Sequence, residues 1–352
     1  MIDAAGTEDL LSGLTPAQRA AVVSDAAPLC VVAAAGAGKT RVLTRRIAYR
    51  CRTGRADAGH TLALTFTRKA AGELQDRLGG LGLRGGVVAG TFHSVAIAQL
   101  QRWWADRGQR PPALLERKSR VLGPLVAARP ALAAVALSEV AGLIEWAKAR
   151  TVEPDGFQAA VAARGRPLPS GVDAAEVGAL YARYEHEKRK RGLVDFDDLL
   201  SRLAAAIESD PELAGAQRWR WRHIYVDEFQ DLNPLQHRLL VAWLGASRDL
   251  CVVGDPHQAI YGWNGSDPGL LAAFATRWPG AEVLHLDANH RCPEPIVRAA
   301  AAVLGAEGAR LHGVDREGPA PVVAGFHDER EEAAAIATAF AAAHRDGRRW
   351  GR

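Results

Sequence analysis

The chain is poor in lysine, sulfur and aromatic residues. Only six of its 44 basic residues are Lys, it has one Met and four Cys, and aromatic residues make up 6%. Cys30, Cys51, Cys251 and Cys292 stand far apart, with no CxxC pair and no Cys/His cluster. That spacing excludes a zinc framework and a disulfide scaffold and leaves buried thiols as the expectation. No stretch reaches the roughly 18 consecutive apolar residues that a membrane-spanning helix requires. The acidic N-terminus, Met1 to Gly13, lacks the basic segment and apolar core of a secretion signal. A soluble cytoplasmic chain with no membrane partner is therefore expected. No internal repeat is present.

The 352 residues are 48% hydrophobic and 24% charged, the balance of an average globular chain, which excludes disordered, collagen-like and coiled-coil classes. At about 150 residues per domain the length corresponds to roughly two domains and a third. Net charge is +4 with a pI near 9.0, too small a surplus over this length to require a nucleic-acid partner. The basic residues are mostly Arg, whose planar fork suits phosphate and carboxylate groups. An Ala- and Arg-rich coding bias explains the same composition.

Short apolar runs alternate with helix-period segments, the pattern of a parallel sheet covered by helices. Candidate buried strands are Leu29 to Ala33, Thr61 to Phe66, Val87 to Ala89, His223 to Val226, Leu250 to Val253 and Val283 to Leu286. Leu43, Ile47 and Cys51 recur at helical spacing after the first strand, opposite an Arg-rich face. Between Ala98 and Leu193 strand signals stop, and Pro111-Pro112, Pro124, Pro130, Pro154 and the loop from Arg166 to Gly171 divide a helical insertion. Within it, the charged run Glu185 to Arg191 reads as a solvated helix face. After Leu286 the pattern gives a helix from Pro293 to about Leu304, a short strand near Val322 and an Ala-rich helix from Glu329 to His344.

Ala33-Ala34-Ala35-Gly36-Ala37-Gly38-Lys39-Thr40 lies between an apolar strand and a helix, the context of a phosphate-binding loop. Small residues let backbone N–H groups point at the phosphates of ATP, and the helix N-terminus adds partial positive charge. Lys39 would span the phosphates, and the Thr40 hydroxyl would ligate Mg²⁺. His223-Ile224-Tyr225-Val226-Asp227-Glu228 is an apolar strand ending in two carboxylates that point different ways, so that Asp227 can reach the metal while Glu228 faces the attacking water. A third strand end continues from Gly254-Asp255 to Trp263. There Gln258 is placed to sense the terminal phosphate, and Tyr261 and Trp263 read as base-stacking platforms on a Gly-flanked loop.

With these motifs in order, the chain resembles the superfamily 1 DNA helicases of the UvrD/Rep/PcrA type over nearly all its length. Leu14-Thr15-Pro16-Ala17-Gln18 is similar to that family's glutamine motif, which implies that Gln18 reads adenine. Ala33 to Thr40 matches its Walker A motif, and Arg41 follows as the family's nucleotide-contacting Arg does. Segments Thr65-Phe66-Thr67-Arg68-Lys69-Ala70-Ala71 and Gly90-Thr91-Phe92-His93-Ser94 resemble its single-strand-binding motifs, which implies DNA contacts at Thr65, Phe66, Thr91 and His93. Asp195 to Leu200 resembles the return from the helical insertion, Val226 to Asp231 the DExx box, and Gly254 to Gly265 the motif coupling ATP to DNA. Leu286-Asp287-Ala288-Asn289-His290-Arg291 resembles the start of the second RecA-like domain, where Arg291 contacts the γ-phosphate and His290 stands in place of a Tyr beside adenine. Asn264 stands where the family usually has Arg.

The resemblance implies an α/β fold with a RecA-like ATP-binding domain over residues 1–97 and 193–280. A helical insertion would occupy 98–192, and 281–352 would begin a second RecA-like domain without its later motifs. It implies an ATP- and Mg²⁺-dependent 3′ to 5′ helicase on single-stranded DNA or on a duplex with a single-stranded tail, serving repair or recombination. Turnover would be impaired where a second γ-phosphate arginine is missing. Two other readings stay open: a nucleotide- and DNA-binding module completed by a partner chain, and a P-loop ATPase acting on something other than DNA.

Overall fold

The computed structural model describes residues 4–314 and 317–347. The chain divides into two compact units, Met1–His290 and Arg291–Arg352.

The first unit is built on six strands, β1 (Leu29–Ala33), β2 (Thr61–Thr65), β3 (Val88–Thr91), β4 (His223–Val226), β5 (Leu250–Gly254) and β6 (Glu282–Leu286). They pair in the order β3-β2-β4-β5-β1-β6, every pairing parallel. Period-2 alternation sends Leu29, Val31, Ala33, Ala63, Tyr225, Cys251 and Val253 to one face, under the helices Pro16–Val23, Lys39–Arg52 and Arg68–Leu78. Leu62, Leu64, Ile224, Val226 and Val252 point to the other, under the helices Phe92–Asp106, Phe196–Ser209 and Pro234–Leu244. With both faces covered the inner strands are apolar almost throughout, whereas the edge strand Glu282–Leu286 is largely exposed.

Several expectations change. Glu282–Leu286 pairs with β1 along its whole length, so the segment expected to open a second domain at 281 is the edge strand of the first sheet, and the division falls after His290. Its pairing with an open strand edge satisfies backbone groups that would otherwise stand unpaired. The helix Phe92–Asp106 runs across the expected boundary at 97/98. The insertion has its own core, drawn from residues between Leu115 and Tyr184, and contributes one strand pair, Ala113–Leu114 with Leu193–Val194. No strand forms at Val322, which is exposed; Pro319 and Pro321 withhold two N–H groups from any ladder. Of the four free cysteines, Cys30 and Cys251 are buried while Cys51 and Cys292 are half-buried.

Two arginines on the Arg-rich side of the helix Lys39–Arg52, Arg46 and Arg50, are buried. Arg46 is 1% exposed and donates to the carbonyls of Ala21, Ser24 and Ala26. Arg50 forms a bidentate pair with Asp249 at 2.6 and 2.8 Å. These guanidiniums tie loops to the helix, a use that needs a fork of donors rather than a point charge.

The run Glu185 to Arg191 is solvated at His186, Arg189, Lys190 and Arg191 but buried at Glu187 and Lys188. It closes the helix Ala174–Lys190, where Lys188 is 1% exposed. Lys188 and Lys148 both reach Asp195, at 2.9 and 2.8 Å, and Glu185, at 2.8 and 3.0 Å. Tyr184 donates its hydroxyl to the same fully buried Asp195 at 2.9 Å. Burial opposes ionisation of Asp195, but Lys148 and Lys188 outweigh it and hold the carboxyl well below its usual range. Burial likewise opposes the charge on Lys148, and Asp195 and Asp198 raise its pKa well above the ordinary value. Because Asp195 caps the helix Phe196–Ser209 of the main core, the cluster fastens the insertion to the sheet domain. Removing one partner from a buried pair strands the other charge. Lys188→Met is expected to lower unfolding free energy by about 3 kcal/mol, read from the urea midpoint at constant slope; an unchanged midpoint would deny the cluster this role.

Candidate functional site

The carboxyl ends of β1, β4 and β5 lie side by side. Past β1, Gly36 and Gly38 adopt φ of 75° and 87°, the left-handed region open to glycine, and the loop enters the helix Lys39–Arg52 with Gly38 as its N-cap. A Cβ on Gly38 would lie 3.0 Å from the Gln18 amide, so the loop has no room for a side chain there. Lys39 is buried, its Nζ 3.4 Å from the Ala33 carbonyl and 3.9 Å from Glu228.

Past β4, Asp227 accepts from the Thr40 hydroxyl at 3.1 Å. Burial and then the neighbouring Glu228 raise its carboxyl from the ordinary 3.8 to about 6. Glu228 has φ of 52°, uncommon for a residue with a side chain and held at a cost, and its N–H donates to the Asp227 carboxylate at 3.0 Å. Thr40 and Asp227 are hard oxygen donors, and the costly buried carboxylate lacks a full counter-charge. They suit a magnesium ion chemically.

Past β5, Gln258 donates to Asp255 at 2.5 Å. Between the two strand ends lies Gln230, which sequence reasoning missed. It is 2% exposed, donates to Glu228 at 2.8 Å and accepts from the Asp255 backbone at 2.9 Å. A Cβ on Gly254 would stand 2.9 Å from its oxygen. Asp231 was missed as well; burial and then Glu228 raise its pKa to about 6. Only the spelling of Asp227-Glu228-Phe229-Gln230-Asp231, with polar residues in an otherwise apolar stretch, signalled either.

A cleft of about 610 Å³ gathers Thr65, Phe66, His93, Glu228, Gln258 and Tyr261. Burial lowers the pKa of His93. Two expected contacts are not among its lining residues: the Thr91 hydroxyl accepts from Ser94 N as a helix cap, and Trp263 stands 62% exposed beside Tyr261, ring centroids 6.4 Å apart. The loop carrying these aromatics rests on the insertion. Gly265, at φ 92°, would put a Cβ 2.7 Å from Ala149, and Arg150 donates to Ser266 O at 3.0 Å.

Other expected residues hold the phosphate loop. Gln18 is buried, donating to Ala37 O at 2.9 Å and accepting from Thr15 N at 3.1 Å. His290 N donates to Gly36 O at 3.0 Å, and Asn289, missed by sequence reasoning, donates to Ala35 O at 2.8 Å. Arg41 is exposed and donates to Gly13 O. Arg291 opens the second unit and is exposed. Among the described residues, no helix is long and apolar enough to cross a membrane.

A six-stranded parallel sheet with a glycine-rich loop after β1 and paired carboxylates after β4 defines a P-loop domain of the RecA-like helicase class. Residues 14–279 match the family described as UvrD/REP helicase N-terminal domain, and the chain belongs to that family. It is 41% identical to the ATP-dependent DNA helicase UvrD2 of Mycobacterium tuberculosis, over 95% of this chain and 50% of the relative. It is 33% identical to the ATP-dependent DNA helicase PcrA of Bacillus subtilis, over 85% of this chain and 40% of the relative. The chain thus spans about half the length of the curated relatives it matches.

The raised Asp227 pKa fixes a sign. The folded chain holds this proton more tightly than the unfolded one, so the contribution of Asp227 to stability falls as pH rises from about 4 to about 6 and is level above. Asp227→Asn is expected to stabilise the metal-free protein by about 2 kcal/mol above pH 6, the gain shrinking toward pH 4; chemical denaturation across this range checks it, and a gain that grows on acidification would contradict it.

Proposed function

We propose that the chain is the nucleotide-binding half of an ATP-dependent DNA helicase that moves 3′ to 5′ along single-stranded DNA, on a free strand or a tailed duplex, in repair or recombination. One observation carries the reading: a single cleft is lined both by Glu228 and Gln258, from the phosphate end of the sheet, and by Phe66, His93 and Tyr261. Nucleotide chemistry and strand contact therefore share walls.

Backbone N–H groups of Gly36 to Thr40 and the start of the helix Lys39–Arg52 would hold the β- and γ-phosphates, with Lys39 released from Ala33 O to reach them. Thr40 and Asp227 would hold magnesium, which when bound offsets phosphate charge. Glu228 orients and deprotonates the attacking water, and Gln230 keeps its carboxylate aimed. Gln258, bonded to Asp255, senses the terminal phosphate. Arg291 would add charge stabilisation at the γ-phosphate, a contribution on the order of 10³-fold or more where such arginines have been removed. A change at Gln258 moves the Tyr261–Trp263 loop, on which bases stack.

ATP hydrolysis titrated with single-stranded DNA tests this directly. Stimulation by DNA is expected, with loss of hydrolysis in Lys39→Ala and loss of the stimulation alone in Trp263→Ala; stimulation that survives Trp263→Ala would favour an ATPase acting on something other than DNA. Gln230→Ala is expected to lower DNA-stimulated turnover about ten- to a hundredfold through misplacement of Glu228, with ATP affinity little changed. An equal fall in affinity would assign Gln230 to nucleotide binding instead.

A further inference from the structure

The run Arg218-Trp219-Arg220-Trp221-Arg222 joins the helix Pro211–Arg220 to the start of β4. It lies at the amino end of that strand, whereas the phosphate loop and the cleft lie at the carboxyl ends. Beside it, two hollows of about 850 and 220 Å³ share Gln99, Arg102, Gln217 and Arg220, and the smaller reaches edge strand β3. Neither is used by the reading above.

Three features give this groove a chemistry. Trp219 is 67% exposed, paired T-shaped with His60 at 4.5 Å and 78° and with the Arg222 guanidinium 6.0 Å from its ring centroid, so most of the indole remains in solvent beside these two groups. Among the described residues, neither Arg102 nor Arg220 forms a salt bridge, although Arg220 lies over the Trp221 ring at 4.7 Å and Asp106 and Glu212 also line the larger hollow, while Arg107 is already neutralised by Asp210. Gln99 and Trp221, both more than nine-tenths buried, carry the donors Nε2 and Nε1 without a hydrogen-bond partner, and Gln217 an unmatched Oε1. The other end of the Gln99 amide is committed, accepting from Trp243 at 2.9 Å. Buried polar groups without partners are costly, and Gln99, Gln217 and Trp221 all line one or both hollows, which marks the groove as polar ground beneath its cationic rim.

We propose that this groove is a second nucleic-acid contact, in which Arg102 and Arg220 hold phosphates of a single strand and Trp219 stacks a base. The proposal rests on the helicase reading for its ligand class. An acidic peptide would satisfy the guanidiniums but offers no planar partner for an exposed indole, and alternation of aromatic and cationic groups matches the alternation of base and phosphate.

Fluorescence anisotropy with a short and a long oligothymidylate, over a range of salt, tests it on the full chain. Trp219→Ala with Arg102→Ala is expected to weaken binding of the long strand about tenfold and to flatten its salt dependence by about 0.7 in the logarithmic slope, leaving the short strand unaffected. Both side chains are exposed, so a thermal midpoint equal to the parent's marks the variant as folded. Trp263→Ala is expected to weaken both strands. If it weakens neither while the groove variant loses the long strand, the cleft assignment fails and the groove stands. Unchanged long-strand affinity and slope in the groove variant overturn the proposal. So does loss of polyglutamate binding with DNA binding intact, because the groove would then serve an acidic peptide.

Discussion

All strands of the central sheet run the same way, so the carboxyl ends of β1, β2, β4 and β5 fall on one edge, and the groups of the candidate site hang from that edge. The order of strands matters as much as their direction. β5 lies between β1, which leads into the phosphate loop, and β4, which ends in Asp227 and Glu228. The turn after β5 is thus wedged between the glycine-rich loop and the paired carboxylates, and Asp255 comes within reach of Gln230 because their strands are neighbours. In an antiparallel sheet the same motifs would be divided between two ends.

Gln230 is the smallest link in this arrangement. Its amide joins the Glu228 carboxylate to the backbone of Asp255, and Asp255 in turn holds Gln258. Glu228 sits in a left-handed conformation that a side-chain-bearing residue adopts at a cost. The surrounding hydrogen bonds hold it there. Beyond Gln258 the chain continues to Tyr261 and Trp263, and Gly265 lets that loop press against the insertion helix Leu137–Ala149. A physical path therefore runs from the carboxylates to the aromatic loop and into the insertion.

Next to Ala149, at the same end of the helix Leu137–Ala149, the attachment is electrostatic. Lys148 and Lys188 are buried against Asp195, Asp198 and Glu185, an arrangement that exchanges hydration for geometry. Buried pairs contribute little net stability but tolerate little rearrangement. The insertion is thus a body with its own apolar core held to the sheet at defined charges.

Local pattern carried a large share of this. The apolar runs at Leu29, Thr61, His223 and Leu250 determined strands, because a doubly covered parallel sheet needs them apolar on both faces, and the small residues from Ala33 to Gly38 determined the loop. Tertiary structure alone decided what depends on partners distant in sequence. It assigned Glu282–Leu286 to the first sheet, because an exposed strand edge offered it hydrogen bonds. It buried Arg46, and also Lys188, which the charge pattern placed in water, because main-chain carbonyls and carboxylates from other segments were there to receive them. It also took the Gln18 amide for the phosphate loop and placed Gln230 between two strand ends. Periodicity records which side of an element is apolar; which polar group meets which is settled only when the elements pack.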